Sequence, residues 1–283
     1  MAVSTGLLVE PLTPTIGAEV RGVDLREPLD DATVAAIRRA LLDHLVLFFR
    51  DQPITVDDHM RFATYFGKVD MPPFLSAGAP RPEVTVLDQT EPKGQGADSW
   101  HADYTHRPEP PMGSILRAVQ LPSTGGDTCF SSMYAAYDDL SPAMQQFVDG
   151  LEANNTLELM AERAKVRTPE AKLGDASEGG YPSFVHPVVR VHPETGRKLL
   201  NVNANWTNRI VGLTEAESNA ILQLLLQHVR SPDYQCRFRW TPDAIAFWDN
   251  RAVQHFAVAD YGERRVMQRI TIKGDRPYGV AGR

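Results

Sequence analysis

The C-terminal part of the chain, residues 234–273, has the sequence YQCRFRWTPDAIAFWDNRAVQHFAVADYGERRVMQRITIK. Three short runs in it, Tyr234–Trp240, Ala244–Trp248 and Arg265–Lys273, are separated by segments that contain Pro, Asp and Gly. Runs rich in aromatic and β-branched residues between such breakers are typical of strands. We therefore predict that this part of the chain is strand-rich.

The same pattern extends toward the N-terminus. Short apolar runs predict further strands at Leu45–Phe49, Val84–Leu87, Ser114–Val119 and Thr128–Phe130. Two more runs, Val185–His192 and Lys198–Val202, flank Pro193–Gly196, whose composition is that of a hairpin turn. Strands are thus expected along most of the chain.

Helices are predicted where a capping residue precedes apolar residues at helical spacing. Such starts occur at Asp30-Asp31, Thr55, Ser141 and Thr214. Many short strands with a few packed helices favour a double-sheet β-barrel or jelly roll. The predicted fold class is therefore mainly β with flanking helices.

A single domain over residues 1–283 is expected, because the chain has no internal repeat and its Gly and Pro residues are spread along its length. Residues 158–183 are polar, contain a Gly179-Gly180 pair and show no clear period. We predict a long loop there, and loops of that length are often lids over active sites.

The charge balance limits the partners. Lys and Arg number 29 against 36 Asp and Glu, for a formal net charge of −7, which argues against nucleic acid or an anionic membrane. No signal peptide and no apolar run of about 18 residues is apparent. Two distant cysteines, Cys129 and Cys236, exclude a disulfide framework and a Cys-rich zinc site. We expect a soluble cytoplasmic protein in which any anionic ligand is held by a few placed cations rather than by a general positive field.

His101-Ala102-Asp103 is the first candidate metal-binding segment. On an extended backbone residues i and i+2 point to the same side, so the imidazole and the carboxylate can aim at one point while Ala102 faces away. They supply two of the three groups in the two-histidine, one-carboxylate arrangement that leaves positions open on iron(II). The spacing alone is a weak signal, because it occurs by chance in many proteins.

His255 is the candidate for the third ligand. It follows the apolar strand Ala244–Trp248 and is distant in sequence from the first two ligands. The alternative, equally open on local sequence, is a loop histidine held by a backbone carbonyl.

Arg265 and Arg269 share one face of the last predicted strand. They lie roughly 13 Å apart along it and could serve two separate anions. The alternative is that Arg269 pairs with a protein carboxylate, since buried arginines need an anionic partner. Thr128 begins a strand after a turn-rich segment, and its hydroxyl could donate to a carboxylate or simply pack.

Together these residues resemble the taurine catabolism dioxygenase family, the iron(II)- and 2-oxoglutarate-dependent dioxygenases of taurine and aryloxyacetate type. The resemblance runs from about residue 7 to residue 278. Its blocks, in order, are Trp100–Asp103, Leu121–Thr128, His186–Arg190, Trp248–His255, Arg264–Arg269 and Gly274–Asp275. It implies a distorted double-stranded β-helix, or jelly roll, with iron bound at one end.

The resemblance also implies a cofactor set and a reaction. His101, Asp103 and His255 match the family's iron(II) ligands, and the co-substrates are 2-oxoglutarate and O2. Oxidative decarboxylation of 2-oxoglutarate gives succinate and CO2 while the substrate is hydroxylated next to its acid group. Family members that halogenate lack the carboxylate ligand, so Asp103 favours hydroxylation. A homo-oligomer, dimer or tetramer, is expected by the same analogy.

The two arginines match two anion-binding positions of the family. Arg265, helped by Thr128, matches the residue that holds the distal carboxylate of 2-oxoglutarate. Arg269 matches the residue that binds the substrate's anionic group. A taurine-like sulfonate, giving an aldehyde and sulfite, is the leading prediction. An aryloxy or alkyl carboxylate or a sulfate ester is the alternative, and a non-catalytic barrel that binds a metal or an anion is a distant one.

The substrate pocket departs from that of the taurine enzymes. Pro72 and Leu75 stand where those enzymes carry a histidine and a tyrosine, and Ala97 lies near the position of a family asparagine. Trp206 keeps the aromatic of the pocket. The resemblance thus implies that Leu75 and Trp206 contact the substrate, and that the substrate is larger or less polar than taurine.

Overall fold

Strands and flanking helices make up the computed structural model, which describes residues 6–72, 78–90, 97–167 and 180–280. The strands are β1 (Leu8–Pro11), β2 (Ala18–Arg21), β3 (Val46–Phe49), β4 (Thr85–Gln89), β5 (Gly113–Gln120), β6 (Thr128–Ser132), β7 (Glu152–Thr156), β8 (Ser183–Pro187), β9 (Val189–Val191), β10 (Lys198–Leu200), β11 (Thr207–Ile210), β12 (Gln235–Phe238), β13 (Ile245–Asp249), β14 (Val253–Ala257) and β15 (Arg265–Ile272). The α-helices are α1 (Asp31–His44), α2 (Val56–Thr64), α3 (Met133–Asp138), α4 (Pro142–Asp149), α5 (Glu158–Arg167) and α6 (Glu215–His228).

Two sheets form the framework of the described residues. The larger sheet has the strand order β1-β2-β3-β13-β5-β15-β4, and the smaller one has the order β12-β6-β14. β5 lies between β13 and β15, which are far from it in sequence, and both pairings are antiparallel. Side chains of both sheets share one apolar core. The prediction of a mainly β jelly roll with flanking helices is confirmed.

β3 lies between two apolar cores, because both faces of the larger sheet are covered. Successive side chains of a strand point to opposite faces. Val46 and Phe48 pack into the core between the two sheets, whereas Leu47 and Phe49 pack into the core that includes α1 and α2. All four residues are buried, so the strand is a continuous apolar run rather than an alternating one.

Phe48 joins the two sheets. Its ring is parallel to that of Phe238 on β12, with centroids 4.0 Å apart, and meets Phe130 of β6 edge-on at 5.6 Å. The three rings are buried, so they contribute both apolar area and specific ring contacts to the sheet–sheet interface.

The predicted helix starts at four capping residues are confirmed. Thr55 and Thr214 form complete capping boxes with the side chains three residues later. Asp30 and Ser141 each accept a hydrogen bond from a backbone N–H of the first turn. In the described part of the chain, no helix is both long and apolar enough to cross a membrane.

The loop predicted at residues 158–183 is wrong for its first ten residues, which form α5. The helix was not predicted because its sequence has no clear apolar period. Polar tertiary contacts hold it instead: Arg163 donates to the Ala204 carbonyl at 2.9 Å. Residues 168–179 lie outside the described residues. Whether this segment acts as a lid stays a prediction.

Two strand predictions also need correction. The run Val185–His192 forms two strands rather than one, because β8 pairs with β7 whereas β9 pairs with β10 in the predicted hairpin. His255, expected after a strand, lies inside β14, which pairs with β6. The segment Val253–Ala257 was missed because its burial depends on long-range pairing rather than on local alternation.

Phe48→Ala is expected to lower the free energy of unfolding by about 3–5 kcal/mol, because it leaves a cavity at the junction of the two sheets. Urea unfolding monitored by circular dichroism measures this. Phe147→Ala is the matched control: Phe147 is 44% exposed and should change stability by no more than about 0.5 kcal/mol. Equal losses in the two variants would contradict the assignment of Phe48 to the central core.

Candidate active site

His101 and His255 face each other on adjacent backbone segments. The N–H of His255 donates to the carbonyl of His101 at 2.8 Å, and the N–H of His101 donates back at 3.1 Å. This two-residue antiparallel bridge places the ring centroids 4.2 Å apart. Because His255 belongs to β14, the smaller sheet fixes the position of both imidazoles.

Asp103 completes a three-ligand cluster with these histidines. Its Oδ1 lies 4.0 Å from the Nε2 of each imidazole, and the three ligand atoms lie within 4.8 Å of one another. Exposed fractions are 6% for His101, 3% for Asp103 and 7% for His255. The three predicted ligands are therefore brought together around one point that could hold a metal ion.

The protonation states suit metal binding. A carbonyl only accepts hydrogen bonds, so the 2.7 Å contact with the Ser99 carbonyl means that His101 Nδ1 carries the proton and Nε2 has a free lone pair. Burial lowers the pKa of both imidazoles, that of His255 to about 3. Burial opposes ionisation of Asp103, but the Arg269 guanidinium, the two histidines and the Ser114 hydroxyl together outweigh burial and lower the carboxyl pKa to about 2. Neutral imidazoles and a carboxylate are the donor set of iron(II) sites.

Two polar side chains orient Asp103. Ser114 on β5 donates to Oδ2 at 3.1 Å, which leaves Oδ1 turned toward the histidines. Asn250 accepts from the Asp103 N–H at 2.7 Å and donates to the Asp103 carbonyl at 3.1 Å. Neither residue was predicted from the sequence. Asn250 lies inside the matched block Trp248–His255, but its partner is distant in sequence.

A buried ionic cluster holds the turn that carries Asn250. Arg251 donates to the two oxygens of Asp249 at 2.9 and 2.6 Å, and His192 Nε2 lies 3.1 Å from the same carboxylate. Glu194 pairs with Arg251 at 2.8 Å. Breaking a buried ion pair leaves an uncompensated charge, so these pairs constrain the turn between β13 and β14. Through this turn they also constrain the position of His255 on β14.

Arg265 is a buried cation that lacks an ion pair among the described residues. It is 4% exposed, its Nε and Nη2 have no hydrogen-bond partner, and burial lowers its pKa. The backbone makes room for it at Gly126, where φ is +74° and an added Cβ would lie 3.0 Å from Arg265 Cδ. Buried charges need compensation, so Arg265 fits a ligand carboxylate that completes the site.

Thr128 provides a hydrogen-bond donor at the end of the cavity where Arg265 lies. Its Oγ accepts from Trp240 Nε1 at 3.0 Å, which leaves the hydroxyl proton available. Arg265 lies 5.9 Å from the Trp240 ring, and both Thr128 and Arg265 line one cavity with the metal cluster. This arrangement fits a dicarboxylate such as 2-oxoglutarate, with one end at the metal and the other at Arg265.

Arg269 pairs with a protein carboxylate, the alternative that the sequence left open. Its Nη1 donates to Asp103 Oδ1 at 2.8 Å, and its Nη2 donates to the Tyr104 hydroxyl at 2.8 Å. Burial opposes the charge of Arg269, but Asp103 and Tyr104 together outweigh burial and raise the pKa of the guanidinium. Since the partner is itself a candidate metal ligand, Arg269 lies at the centre of the site.

A cavity of about 310 Å³ connects these groups. Most of its apolar wall comes from Leu87, Leu116, Leu157, Met160, Trp206 and Trp248. Trp206 thus lies where predicted, and its Nε1 also donates to the Ala102 carbonyl at 2.8 Å. Ala97 lines the cavity as well. Leu75, the other predicted pocket residue, lies outside the described residues. Tyr104 also lines the cavity and was not predicted from the sequence, although it directly follows Asp103.

Asn250→Ala is expected to weaken metal binding by about 10- to 100-fold, because Asp103 loses its backbone tether and outer contacts of this kind orient metal ligands. Competition between Mn(II) and a fluorescent chelator measures the affinity. Asn208→Ala is the control, since Asn208 forms a side-chain hydrogen bond with Asn154 at 2.9 Å, away from the cavity. Unchanged Mn(II) affinity in the first variant would show that Asn250 does not position Asp103.

Comparison with known proteins agrees with this geometry. The model of the taurine catabolism dioxygenase TauD, TfdA family matches residues 8–271. The alpha-ketoglutarate-dependent sulfate ester dioxygenase of Pseudomonas putida is 38% identical, with coverage of 97% of this chain and 92% of that protein. The alkylsulfatase of Acinetobacter baylyi is 37% identical, with coverage of 98% and 88%.

A solved structure supports the same assignment. The taurine dioxygenase from Burkholderia xenovorans superposes with a TM-score of 0.85 at 38% identity, and covers 98% of this chain and 93% of its own. Three observations support the same family: the sequence similarity, the fold, and the buried cluster of two histidines and one aspartate. This chain therefore belongs to the taurine catabolism dioxygenase family and is an enzyme that requires iron(II), 2-oxoglutarate and O2.

Proposed function

We propose that the substrate is an alkyl sulfate ester, which the enzyme hydroxylates at the carbon next to the ester oxygen. The hydroxylated product then collapses to an aldehyde and sulfate. The observation that carries this proposal is the cavity wall: it is largely apolar, and Asp103 is the single carboxylate among its described lining residues. Asp103 already pairs with Arg269 and belongs to the metal cluster, so the ammonium group of taurine would find no further anionic partner among the described lining residues, whereas an alkyl chain matches the wall.

The cofactors account for the oxidation. His101, Asp103 and His255 would hold iron(II), and Arg265 with Thr128 would hold the distal carboxylate of 2-oxoglutarate. The bound iron, 2-oxoglutarate and O2 supply the chemistry that replaces a C–H bond by C–OH, with succinate and CO2 as co-products. The protein itself would bind and orient the substrate and exclude water from the cavity.

Arg269 orients the substrate in this proposal. Its guanidinium would hold the anionic head group, while the Nη1 bond to Asp103 keeps that head group next to the metal cluster. The carbon attached to the head group would then lie nearer to the metal ligands than the rest of the alkyl chain. Oxidation beside the acid group follows from this short distance rather than from any special reactivity of the carbon.

The three similar proteins described above favour a sulfur oxyanion. Two of them are named as a sulfate ester dioxygenase and an alkylsulfatase, and the similar solved structure is named as a taurine dioxygenase. An alkanesulfonate is therefore the second candidate, for which the products would be an aldehyde and sulfite. Trp206 supports an apolar chain in either case, and Leu75 remains a predicted pocket residue.

The segment 158–183 is proposed as the lid of this cavity. Leu157 and Met160 line the cavity at the start of α5, and Arg163 ties the helix to the Ala204 carbonyl. Closure by this segment would exclude water from the apolar wall.

Product analysis tests the proposed function. The iron-loaded enzyme is supplied with 2-oxoglutarate, O2 and one of hexyl sulfate, hexane-1-sulfonate, taurine or heptanoate, and succinate, sulfate and sulfite are measured. We expect one sulfate released per succinate with hexyl sulfate, and less turnover with taurine. One sulfite per succinate with hexane-1-sulfonate alone would move the assignment to the second candidate. Turnover of heptanoate alone would contradict both.

Arg265→Ala and Arg269→Ala are expected to affect different ligands. Each removes a buried, charged hydrogen-bond partner, a loss worth roughly 2–5 kcal/mol. Arg265→Ala should raise the Kd of 2-oxoglutarate, and Arg269→Ala should raise the Kd of hexyl sulfate, as measured calorimetrically with Mn(II) in place of iron. Arg264→Ala is the control, because its exposed side chain pairs with Asp88. Loss of the same ligand in both variants would contradict the two-anion arrangement.

A further inference from the structure

Tyr104 has a hydroxyl proton that the described residues leave without an acceptor. The hydroxyl oxygen receives the Nη2–H of Arg269 at 2.8 Å. A guanidinium only donates, so this bond uses the oxygen of Tyr104 as acceptor and leaves its O–H free to donate elsewhere. Tyr104 is half-buried and lines the cavity together with Arg269. The free O–H can therefore serve a ligand in that cavity.

The backbone is bent to bring Tyr104 to this place. Neighbouring residues of an extended segment point to opposite sides. Tyr104 instead has φ of 53°, a left-handed conformation that is unfavourable for an aromatic residue. As a result Asp103 and Tyr104, adjacent in sequence, contact the two Nη atoms of one arginine. Such strain persists only where the surroundings enforce it, and it is typical of functional sites.

The surroundings of the ring provide that enforcement. The Arg107 guanidinium lies 4.7 Å from the centre of the Tyr104 ring and is itself held by an ion pair with Asp70. The carbonyl of Arg107 accepts from His186 Nε2 at 2.8 Å. Turning the Tyr104 ring away from Arg269 would therefore break its contact with Arg107.

We propose that Tyr104 is a substrate-binding residue that determines specificity: its O–H donates to the anionic head group that Arg269 binds. This inference rests on the proposed function. A carboxylate has two oxygens, which one guanidinium can satisfy with two parallel N–H bonds. A sulfate ester or sulfonate head group has a third terminal oxygen, which needs another donor when it is buried. Tyr104 supplies that donor, so it favours sulfur oxyanions over carboxylates.

Tyr104→Phe tests the proposal, because it removes the O–H and keeps the ring against Arg107. Calorimetry on the Mn(II)- and 2-oxoglutarate-loaded protein without O2 gives the Kd of hexyl sulfate, hexane-1-sulfonate and heptanoate. We expect about a 10-fold or greater rise in Kd for the two sulfur anions and less than about a 3-fold rise for heptanoate. The Kd of 2-oxoglutarate, measured separately, reports whether the rest of the site is intact.

Tyr65→Phe is the matched control. Its hydroxyl also takes part in one hydrogen bond, from the Leu29 N–H at 3.0 Å, and it is not among the lining residues of the cavity. Equal Kd values for hexyl sulfate in Tyr104→Phe and wild type would overturn the proposal, as would an equal loss of all three anions. A wild-type protein that binds none of the three anions would instead overturn the proposed function, and the inference with it.

Discussion

The buried charge of Asp103 constrains the rest of the site. An ionised carboxylate that is 3% exposed has to be compensated, and each compensating group ties a different strand to it. Ser114 ties β5 to one oxygen, and Arg269 ties β15 to the other. Asn250 fixes the backbone of Asp103 to the turn before β14. A divalent metal would complete the compensation at Oδ1, where both histidines already point.

The two sheets explain how one cavity has a charged end and an apolar wall. Strands β5, β13 and β15 of the larger sheet send alternate side chains to the helix-covered core and to the space between the sheets. Most of that space is closed by side chains such as Phe48, Phe130 and Phe238, which join the sheets. At one place between the sheets, the packing leaves the cavity that the metal cluster and both arginines share.

Arg269 couples the two binding events in the proposed mechanism. The same guanidinium contacts the candidate metal ligand Asp103 and the hydroxyl of Tyr104, so a head group bound there adds to a hydrogen-bond network that includes the metal site. Networks of this kind hold every member more firmly when all donors are used. Substrate binding would therefore order the metal cluster as well as the substrate.

Local signals were enough to predict the strand-rich fold class, the four helix caps and the metal cluster, because each depends on residues near one another in the chain or on a matched motif. The hydrogen bonds of Asn250 and Ser114, the α5 helix and the β14 strand depend on contacts between distant segments, which no local pattern records. Arg269 illustrates the difference. Its position on the strand was predictable from alternation, but its pairing with Asp103 and Tyr104 required a left-handed turn after the His101–Asp103 motif, and such a turn forms only when the surrounding packing enforces it.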